Sequence, residues 1–299
     1  MSTTLELTDD PAAFLAAAGS HLAADPVVST VVATVAARLA RGGGHDLPYR
    51  WWAVARDDGA VVGAAMRTAP FAPYPPFVLA MPEEAALSLA RELHARGESL
   101  AQVNGLLPAA RTVAEETARL TGGAVRVHEH QRLWELDELV MPPAPPGRLR
   151  RADVTETDLC RAWFVAFDSD ADLQAGRDPV PGGAGALSRD EIRSRIEDGV
   201  LWLWEDADGV PVHLTGTTLP AHGVTRIGPV YTPREHRGRG YARRAVAEVS
   251  ERLSGFGERC CLFTDLANPV ANALYAALGY RQVAEVVELA VDPPEAQPR

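Results

Sequence analysis

The sequence contains no lysine, so all 29 of its positively charged side chains are arginines. This absence excludes a P-loop nucleotide site, because the G-x-x-x-x-G-K-[ST] pattern needs a lysine that reaches the phosphates. Cysteine is also scarce. Cys160, Cys260 and Cys261 are odd in number and lack the spacing of a metal or redox motif. Such sparse cysteines fit a reducing compartment, and we expect a cytoplasmic protein.

Long apolar runs and a basic charge balance are absent as well. No stretch approaches the roughly 18 apolar residues that a membrane span needs, and the first residues show no secretory signal. The net charge of −11 argues against a nucleic-acid partner, because phosphate binding requires a basic surface. The same charge is compatible with a cationic small-molecule substrate. We therefore expect neither a membrane nor a nucleic-acid partner.

A proline-rich segment divides the sequence near its middle. Residues 141–147 read Met-Pro-Pro-Ala-Pro-Pro-Gly, and so many prolines favour an extended linker. We predict one domain over residues 1–140 and a second over residues 148–299, both of normal domain size. Strands and helices are predicted in a similar order in both halves, which indicates a tandem α/β protein. Two ordinary α/β halves that merely alternate alike are the alternative.

The apolar periodicity and the turn residues of the second half predict its elements. A helix over residues 155–167 is expected to begin with Thr155 and Asp158 at capping-box spacing, and a second capping box begins at Ser188. A Gly/Pro-rich loop is predicted between the first helix and Ala186. The remaining predicted elements are a hairpin over 200–219, strands over 225–232, 259–266 and 282–291, and helices over 240–253 and 270–278.

The segment from Thr225 to Arg244 carries the main chemical signal. A β-rich run meets a turn that contains Gly238 and Gly240, and an amphipathic helix follows at once. A helix N-terminus offers unpaired N–H groups and a partial positive charge, and glycine lets the backbone approach a phosphate closely. The arginines in or beside this turn are Arg237, Arg239, Arg243 and Arg244. The turn therefore suits a diphosphate.

Two motifs in this region identify a family resemblance. A Rossmann fingerprint would need glycine or alanine where Arg243 stands. Arg237, Gly240 and Ala242 instead match [RQ]-x-x-G-x-[GA], and residues 268–280 match N-x-x-A-x-x-L-Y-x-x-L-G-[FY]. Together these segments resemble the GNAT (N-acetyltransferase) superfamily. The chain is similar to a tandem member whose first half is degenerate.

The resemblance implies a fold and a coenzyme site. Each half is expected to contain a mixed, mostly antiparallel sheet flanked by helices, and the second half a V-shaped cleft. Gly228-Pro229 marks the bulge that splays the strand there. In this family the co-substrate is acetyl-CoA, whose pantetheine arm would lie along Val230, Tyr231 and Thr232 and contact Asn268. The residues expected around its pyrophosphate are Arg237, Gly238, Arg239, Gly240, Tyr241, Ala242 and Arg243.

For catalysis, the resemblance assigns Tyr275 to the neighbourhood of the coenzyme sulfur. A tyrosine can protonate the thiolate that leaves when an amine attacks a thioester. The alternative is an aromatic residue that only packs. No general base stands out: His213 and Asp265 are weak candidates, and each is more typical of a structural or solvated residue.

No metal site is expected. The acidic segment Asp168-Ser-Asp-Ala-Asp172 resembles the start of an EF-hand, but Leu173 and Pro179 occupy the positions that require glycine and glutamate. Its acids would instead attract a cationic amine or stay solvated. His128 and His130 lack a third ligand.

The predicted function is transfer of an acetyl group from acetyl-CoA to a primary amine of a small molecule or peptide, in a ternary complex, by a monomer or homodimer. Two alternatives stay open: an acyltransferase resembling mycothiol synthase that acts on an amino-sugar conjugate, and a non-catalytic acyl-CoA-binding regulator. The equivalent turn of the first half, Leu79–Ala85, has no glycine and two acids. Because these acids repel phosphate, the first half is predicted to bind no CoA.

Overall fold

The computed structural model describes residues 3–42, 49–69, 74–174, 176, 178 and 187–294. It confirms the predicted mixed α/β class. The strands are β1 (Thr3–Thr8), β2 (Trp51–Asp57), β3 (Ala60–Arg67), β4 (Phe77–Val78), β5 (Gln102–Leu106), β6 (Ala124–Leu136), β7 (Arg148–Arg151), β8 (Leu201–Glu205), β9 (Pro211–Thr217), β10 (Val224–Tyr231), β11 (Arg259–Asp265) and β12 (Tyr280–Asp292). The helices are α1 (Pro11–Ala24), α2 (Thr30–Ala40), α3 (Glu83–Ala95), α4 (Ala109–Thr121), α5 (Thr157–Gln174), α6 (Arg189–Glu197), α7 (Tyr241–Gly255) and α8 (Pro269–Ala277).

The first of two compact units comprises residues 1–132 and 284–299. Its strands follow the order β1-β2-β3-β4-β5-β12, and β4–β5 is a parallel pair among antiparallel ones. Helices α3 and α4 bury their apolar faces with the sheet, through Leu89, Leu93 and Val113 among others. Burial of such aliphatic side chains is the main force that holds helices to a sheet.

The second unit comprises residues 133–283. Its strands follow the order β11-β10-β9-β8-β7, in which only β10–β11 is parallel. One apolar cluster joins α7 and α8 to the strands and includes Ile227, Val246 and Tyr275. A separate cluster joins α5 and α6 to β8 and β9. The sheet that contains β10 therefore packs against two apolar clusters, one with α7 and α8 and the other with α5 and α6.

The first compact unit ends at residue 132 rather than at the predicted residue 140, and it also includes residues 284–299, which were predicted in the second domain. The last part of β12 pairs with β5, from Val286 opposite Leu106 onward, so the chain end belongs to the first unit. The proline-rich segment 141–147, predicted as a linker, lies inside the second unit. There the Pro142 carbonyl accepts a hydrogen bond from Arg244 and the Pro146 carbonyl accepts one from Trp204. Proline composition alone does not reveal such long-range contacts.

The helix before the acidic segment also differs from its prediction. The observed capping box is formed by Asp153 and Glu156 at a 3-10 turn that leads into α5, and it begins two residues before the predicted Thr155 pair. The capping box of Ser188 and Glu191 is confirmed. Helix α5 continues through the acidic segment to Gln174, where a loop was expected. Pro179 and most of the predicted loop lie outside the described residues. No helix among the described residues is long and apolar enough to cross a membrane.

Candidate functional site

The candidate cleft begins where β10 and β11 separate. Their parallel pairing runs from Val224 opposite Arg259 to Arg226 opposite Cys261 and is not continued in the described residues. On its other side, β10 shifts register against β9 between Ile227 and Val230. This shift is the bulge expected at Gly228-Pro229. The backbone beyond Arg226 therefore borders a V-shaped opening in the sheet.

Gly216 on β9 makes room for this bulge. A Cβ at position 216 would lie 2.9 Å from both the Gly228 carbonyl oxygen and the Pro229 Cδ. Such a distance is shorter than a real Cβ contact, so only glycine fits opposite the bulge without displacing it. Sequence reasoning did not single out Gly216, because its role depends on a neighbour twelve residues away.

The turn between β10 and α7 presents a row of free N–H groups. Gly238 and Gly240 adopt left-handed φ angles of 76° and 85°, and α7 begins at Tyr241. The N–H groups of residues 238–243 donate to no described residue, whereas those on either side, of Arg237 and Arg244, bond to the carbonyls of Arg234 and Gly240. Consecutive free N–H groups at a helix N-terminus form an anion-binding concavity.

Two of the four arginines in this turn are committed to protein groups. The Arg244 guanidinium donates to the Pro142 carbonyl at 2.7 Å and to Glu248 at 2.8 Å. The Arg237 guanidinium donates from Nε to the Thr232 carbonyl at 2.9 Å and from Nη2 to Asp170 at 2.6 Å. Both guanidinium groups are therefore held by protein groups of the second unit.

The other two arginines retain donors that no described residue accepts. Arg239 is exposed and makes one bond, of 3.2 Å, from Nη2 to the Glu235 carbonyl. The Nε of Arg243 is buried and has no partner among the described residues. A buried donor without a partner is costly.

Asn268, expected to contact the coenzyme arm, begins α8. Its Oδ1 accepts the Ala271 N–H at 3.0 Å, which is an N-cap interaction. Its Nδ2 donates to Gln174 Oε1, at the end of α5, at 2.9 Å. One carboxamide hydrogen thus stays available for a ligand.

Tyr275 lies in the same apolar cluster as Ile227, and Val230 packs against that cluster. Its ring meets Tyr280 edge-on at 6.0 Å, and its hydroxyl makes no hydrogen bond to a described residue. Burial raises the pKa of Tyr275 well above the ordinary tyrosine value. The side chain therefore stays protonated at neutral pH.

His213, a weak candidate for the general base, is fully buried. Its Nδ1 bonds to Thr232 Oγ1 and its Nε2 to Thr215 Oγ1, each at 2.8 Å. Burial lowers the pKa of His213 to about 3. Both ring nitrogens already have hydrogen-bond partners, and burial disfavours protonation of the ring. The weak prediction that His213 is the general base is therefore wrong. Asp265 accepts the Ala267 N–H in the turn after β11.

The acidic segment separates into different environments. Asp170 is buried and pairs with Arg234 and Arg237, so it is not one of the solvated acids of the expected run. No group of three metal-binding side chains occurs among the described residues. His130 lies 3.1 Å from Glu285, and His128 lies 3.8 Å from Glu288. Sequence reasoning missed the pairing of Asp170, because its partners are more than 60 residues away in the chain.

Comparisons with known proteins point to the same region of the chain. A family model described as FR47-like protein matches residues 209–288, which span β9 to β12 and include the turn, Asn268 and Tyr275. No curated protein matches the chain. The family match therefore covers the second unit's site and not the first half.

Solved structures match over almost the whole chain. A GCN5-related N-acetyltransferase from Sphaerobacter thermophilus is 20% identical with a TM-score of 0.60, and the match covers 99% of this chain and 98% of that one. A tandem GNAT protein from the clavulanic acid biosynthesis pathway is 17% identical with a TM-score of 0.55, covering 98% and 100%. A GNAT-family acetyltransferase from Colwellia psychrerythraea is 11% identical with a TM-score of 0.54, covering 97% and 99%. These structures confirm the expected fold.

Proposed function

We propose that this chain, which has the GNAT fold in two tandem units, is an N-acyltransferase that uses acetyl-CoA to acylate a primary amine. The observation that carries the proposal is the row of free N–H groups at residues 238–243, at the end of a strand that has separated from its neighbour. A diphosphate needs such a row, and a thioester arm needs unpaired strand backbone beside it.

The residues of the cleft fit a CoA-like molecule. The amides from Gly238 to Arg243 and the exposed guanidinium of Arg239 would hold the diphosphate. The backbone of Val230, Tyr231 and Thr232 and the carboxamide of Asn268 would hold the pantetheine arm. Positive charge and fixed backbone donors favour an anionic ligand even in a chain of net charge −11.

Acetyl-CoA supplies the thioester whose acyl carbon the amine attacks. A backbone N–H of the separated part of β10, near Val230, would donate to the carbonyl oxygen as negative charge develops. The Tyr275 hydroxyl would donate its proton to the sulfur. Burial makes the Tyr275 hydroxyl a weaker acid, but a thiolate that forms in the same poorly solvated pocket is also more basic than in water, which favours the transfer.

Removal of the amine proton falls to water in this proposal. His213 is buried and neutral, and both its nitrogens are already bonded. A neutral amine that enters the cleft can lose its proton to a water molecule after attack. Acceptors would accordingly react faster as pH rises toward the pKa of the amine.

The decisive assay follows thiol release from acetyl-CoA across a panel of primary amines. We expect release that depends on both acetyl-CoA and an amine. Tight CoA binding with no turnover on any amine would favour a non-catalytic regulator instead. Absence of CoA binding would overturn the proposal entirely.

A pair of tyrosine variants tests the proton donor within this assay. Tyr275→Phe is expected to lower kcat about a hundredfold with little change in the KM for acetyl-CoA, because the lost hydroxyl acts on the leaving sulfur. Tyr280→Phe is the matched control: its hydroxyl bonds to Ser250, and its loss should leave kcat unchanged. Full turnover by Tyr275→Phe would remove Tyr275 from the reaction.

A further inference from the structure

Asp170, near the end of α5, is a buried carboxylate that joins two arginines. Its Oδ1 accepts from Arg234 Nε at 3.0 Å and Nη2 at 2.5 Å, and its Oδ2 accepts from Arg237 Nη2 at 2.6 Å. Its side chain is 12% exposed, against 64% and 37% for the two arginines. Burial alone would raise the pKa of Asp170, but the hydrogen bonds from Arg234 and Arg237 outweigh it and lower the pKa. The carboxylate is therefore ionised in the folded protein.

Arg237 joins Asp170 to Thr232, the residue that follows β10. While Nη2 is held by Asp170, Nε donates to the Thr232 carbonyl at 2.9 Å. The hydroxyl of Thr232 is in turn bonded to His213, which is anchored to Thr215 on β9. These contacts link α5, the turn and two strands into one network of the second unit.

The network fixes the residues just before the free amides. Arg237 is the last residue ahead of Gly238, and the left-handed conformations of Gly238 and Gly240 leave this turn little steric restraint of its own. Apart from the adjacent residues in the chain, no described atom lies within 4 Å of a Cβ built at either glycine. The position of the turn therefore depends on contacts of its other residues, and the Asp170–Arg237 ion pair is one of these contacts.

We propose that Asp170 is a positioning residue for coenzyme binding, which acts by holding Arg237 across the Thr232 carbonyl and so sets where the N–H groups of residues 238–243 point. This inference rests on the proposed use of CoA. Asp170 touches neither the diphosphate nor the thioester in this account. Its function differs from the attraction of a cationic amine expected for the acidic segment.

Simple charge counting predicts the opposite effect, which makes the proposal testable. One carboxylate between two guanidiniums leaves one net positive charge beside the diphosphate, and its removal would leave two. Added charge at exposed arginines is screened by salt over about 10 Å. Loss of convergence of several N–H groups removes many short contacts at once. We therefore expect the lost positioning to weaken CoA binding more than the added positive charge strengthens it.

The test is calorimetric titration of CoA into the full-length protein and its variants. Asp170→Asn should raise the Kd for CoA about tenfold, the scale expected when charge-assisted hydrogen bonds are lost. Asp170→Glu, which keeps the carboxylate, should recover much of the affinity. Asp158→Asn is the matched control, because Asp158 lies on the same helix in an exposed pair with Arg189, and its Kd should equal that of the wild type.

A second variant separates positioning from a general loss of structure. Arg237→Ala should weaken CoA binding, and adding Asp170→Asn to it should cause no further loss, because Asp170 acts through Arg237. If thermal melting shows Asp170→Asn to be poorly folded, Arg237→Ala, which keeps Asp170 and its pair with Arg234, carries the test alone, and unchanged CoA affinity in it would overturn the inference. Equal or tighter CoA binding by Asp170→Asn, or additive losses in the double variant, would overturn the inference. Wild-type protein that binds no CoA would instead overturn the proposed function.

Discussion

At the scale of single residues, His213 shows how burial changes the chemistry open to a side chain. In the sequence it is a histidine on a strand near the cleft, and that position suggested a base. In the structure it is fully buried between Thr215 and Thr232 and holds the end of β10. Desolvation removes its charge, so its contribution is structural.

The buried imidazole predicts a pH dependence of stability. With a folded pKa of about 3 against an ordinary value of 6.5, the unfolded chain binds a proton below pH 6.5 that the folded chain refuses. The free energy of unfolding should therefore fall as pH drops below 6.5, by about 1.4 kcal/mol per pH unit from this residue. Above pH 6.5 the residue contributes no slope.

Urea unfolding between pH 7 and pH 5 checks this expectation. His213→Gln should lose this part of the slope, whatever its stability at pH 7. Thr215→Val, which keeps the imidazole buried but removes one partner, should retain it. Equal slopes for the wild type and His213→Gln would show that the residue is not the source.

At the scale of elements, the turn before α7 depends on the backbone conformation of its glycines. Gly240 precedes the helix with a φ of 85°, a conformation that costs other residues roughly 1–2 kcal/mol. The first half has Pro82 at the corresponding helix start, followed by Glu83 and Glu84. One turn is thus arranged for an anion, and the other carries acids that favour the helix and repel phosphate.

Substitutions at the two ends of α7 test the importance of this turn. Gly240→Ala should destabilise the protein by about 1 kcal/mol and weaken CoA binding, because the new side chain disfavours the left-handed backbone. Gly255→Ala, in the last turn of the same helix, should leave CoA binding unchanged and stabilise by up to about 1 kcal/mol. Calorimetry and urea unfolding provide both readouts. Undiminished CoA affinity in Gly240→Ala would contradict a role for the turn.

At the scale of the whole molecule, both units contain a short parallel pair of neighbouring strands, and they differ in the turn that follows the first strand of the pair. In the first, β4 pairs with β5 at Phe77 and Val78, and α3 after it begins with Glu83 and Glu84. In the second, pairing of β10 with β11 stops at Arg226. The described turn before α3 has two acids and no glycine where the turn before α7 has Gly238 and Gly240, so the first unit lacks the anion-binding part of a coenzyme site.

The full-length chain should accordingly bind one CoA. Calorimetric titration is expected to give a stoichiometry of one CoA per chain. The Gly240→Ala variant should bind this CoA more weakly and should show no second site. A stoichiometry of two would show that the first unit binds CoA despite Glu83 and Glu84. Full-length protein is the right material, because residues 284–299 belong to the first unit.

The sequence by itself determined the α/β class, the order of most elements and the turn around Gly238 and Gly240, because these depend on local periodicity, backbone conformation and contiguous motifs. Only the tertiary structure decided the partners of Asp170 and Arg237, the burial of His213, the packing of the proline-rich segment and the return of β12 to the first unit. Each of these rests on contacts between residues distant in the chain. Local composition carries no record of such contacts, since they arise only when the strands and helices pack.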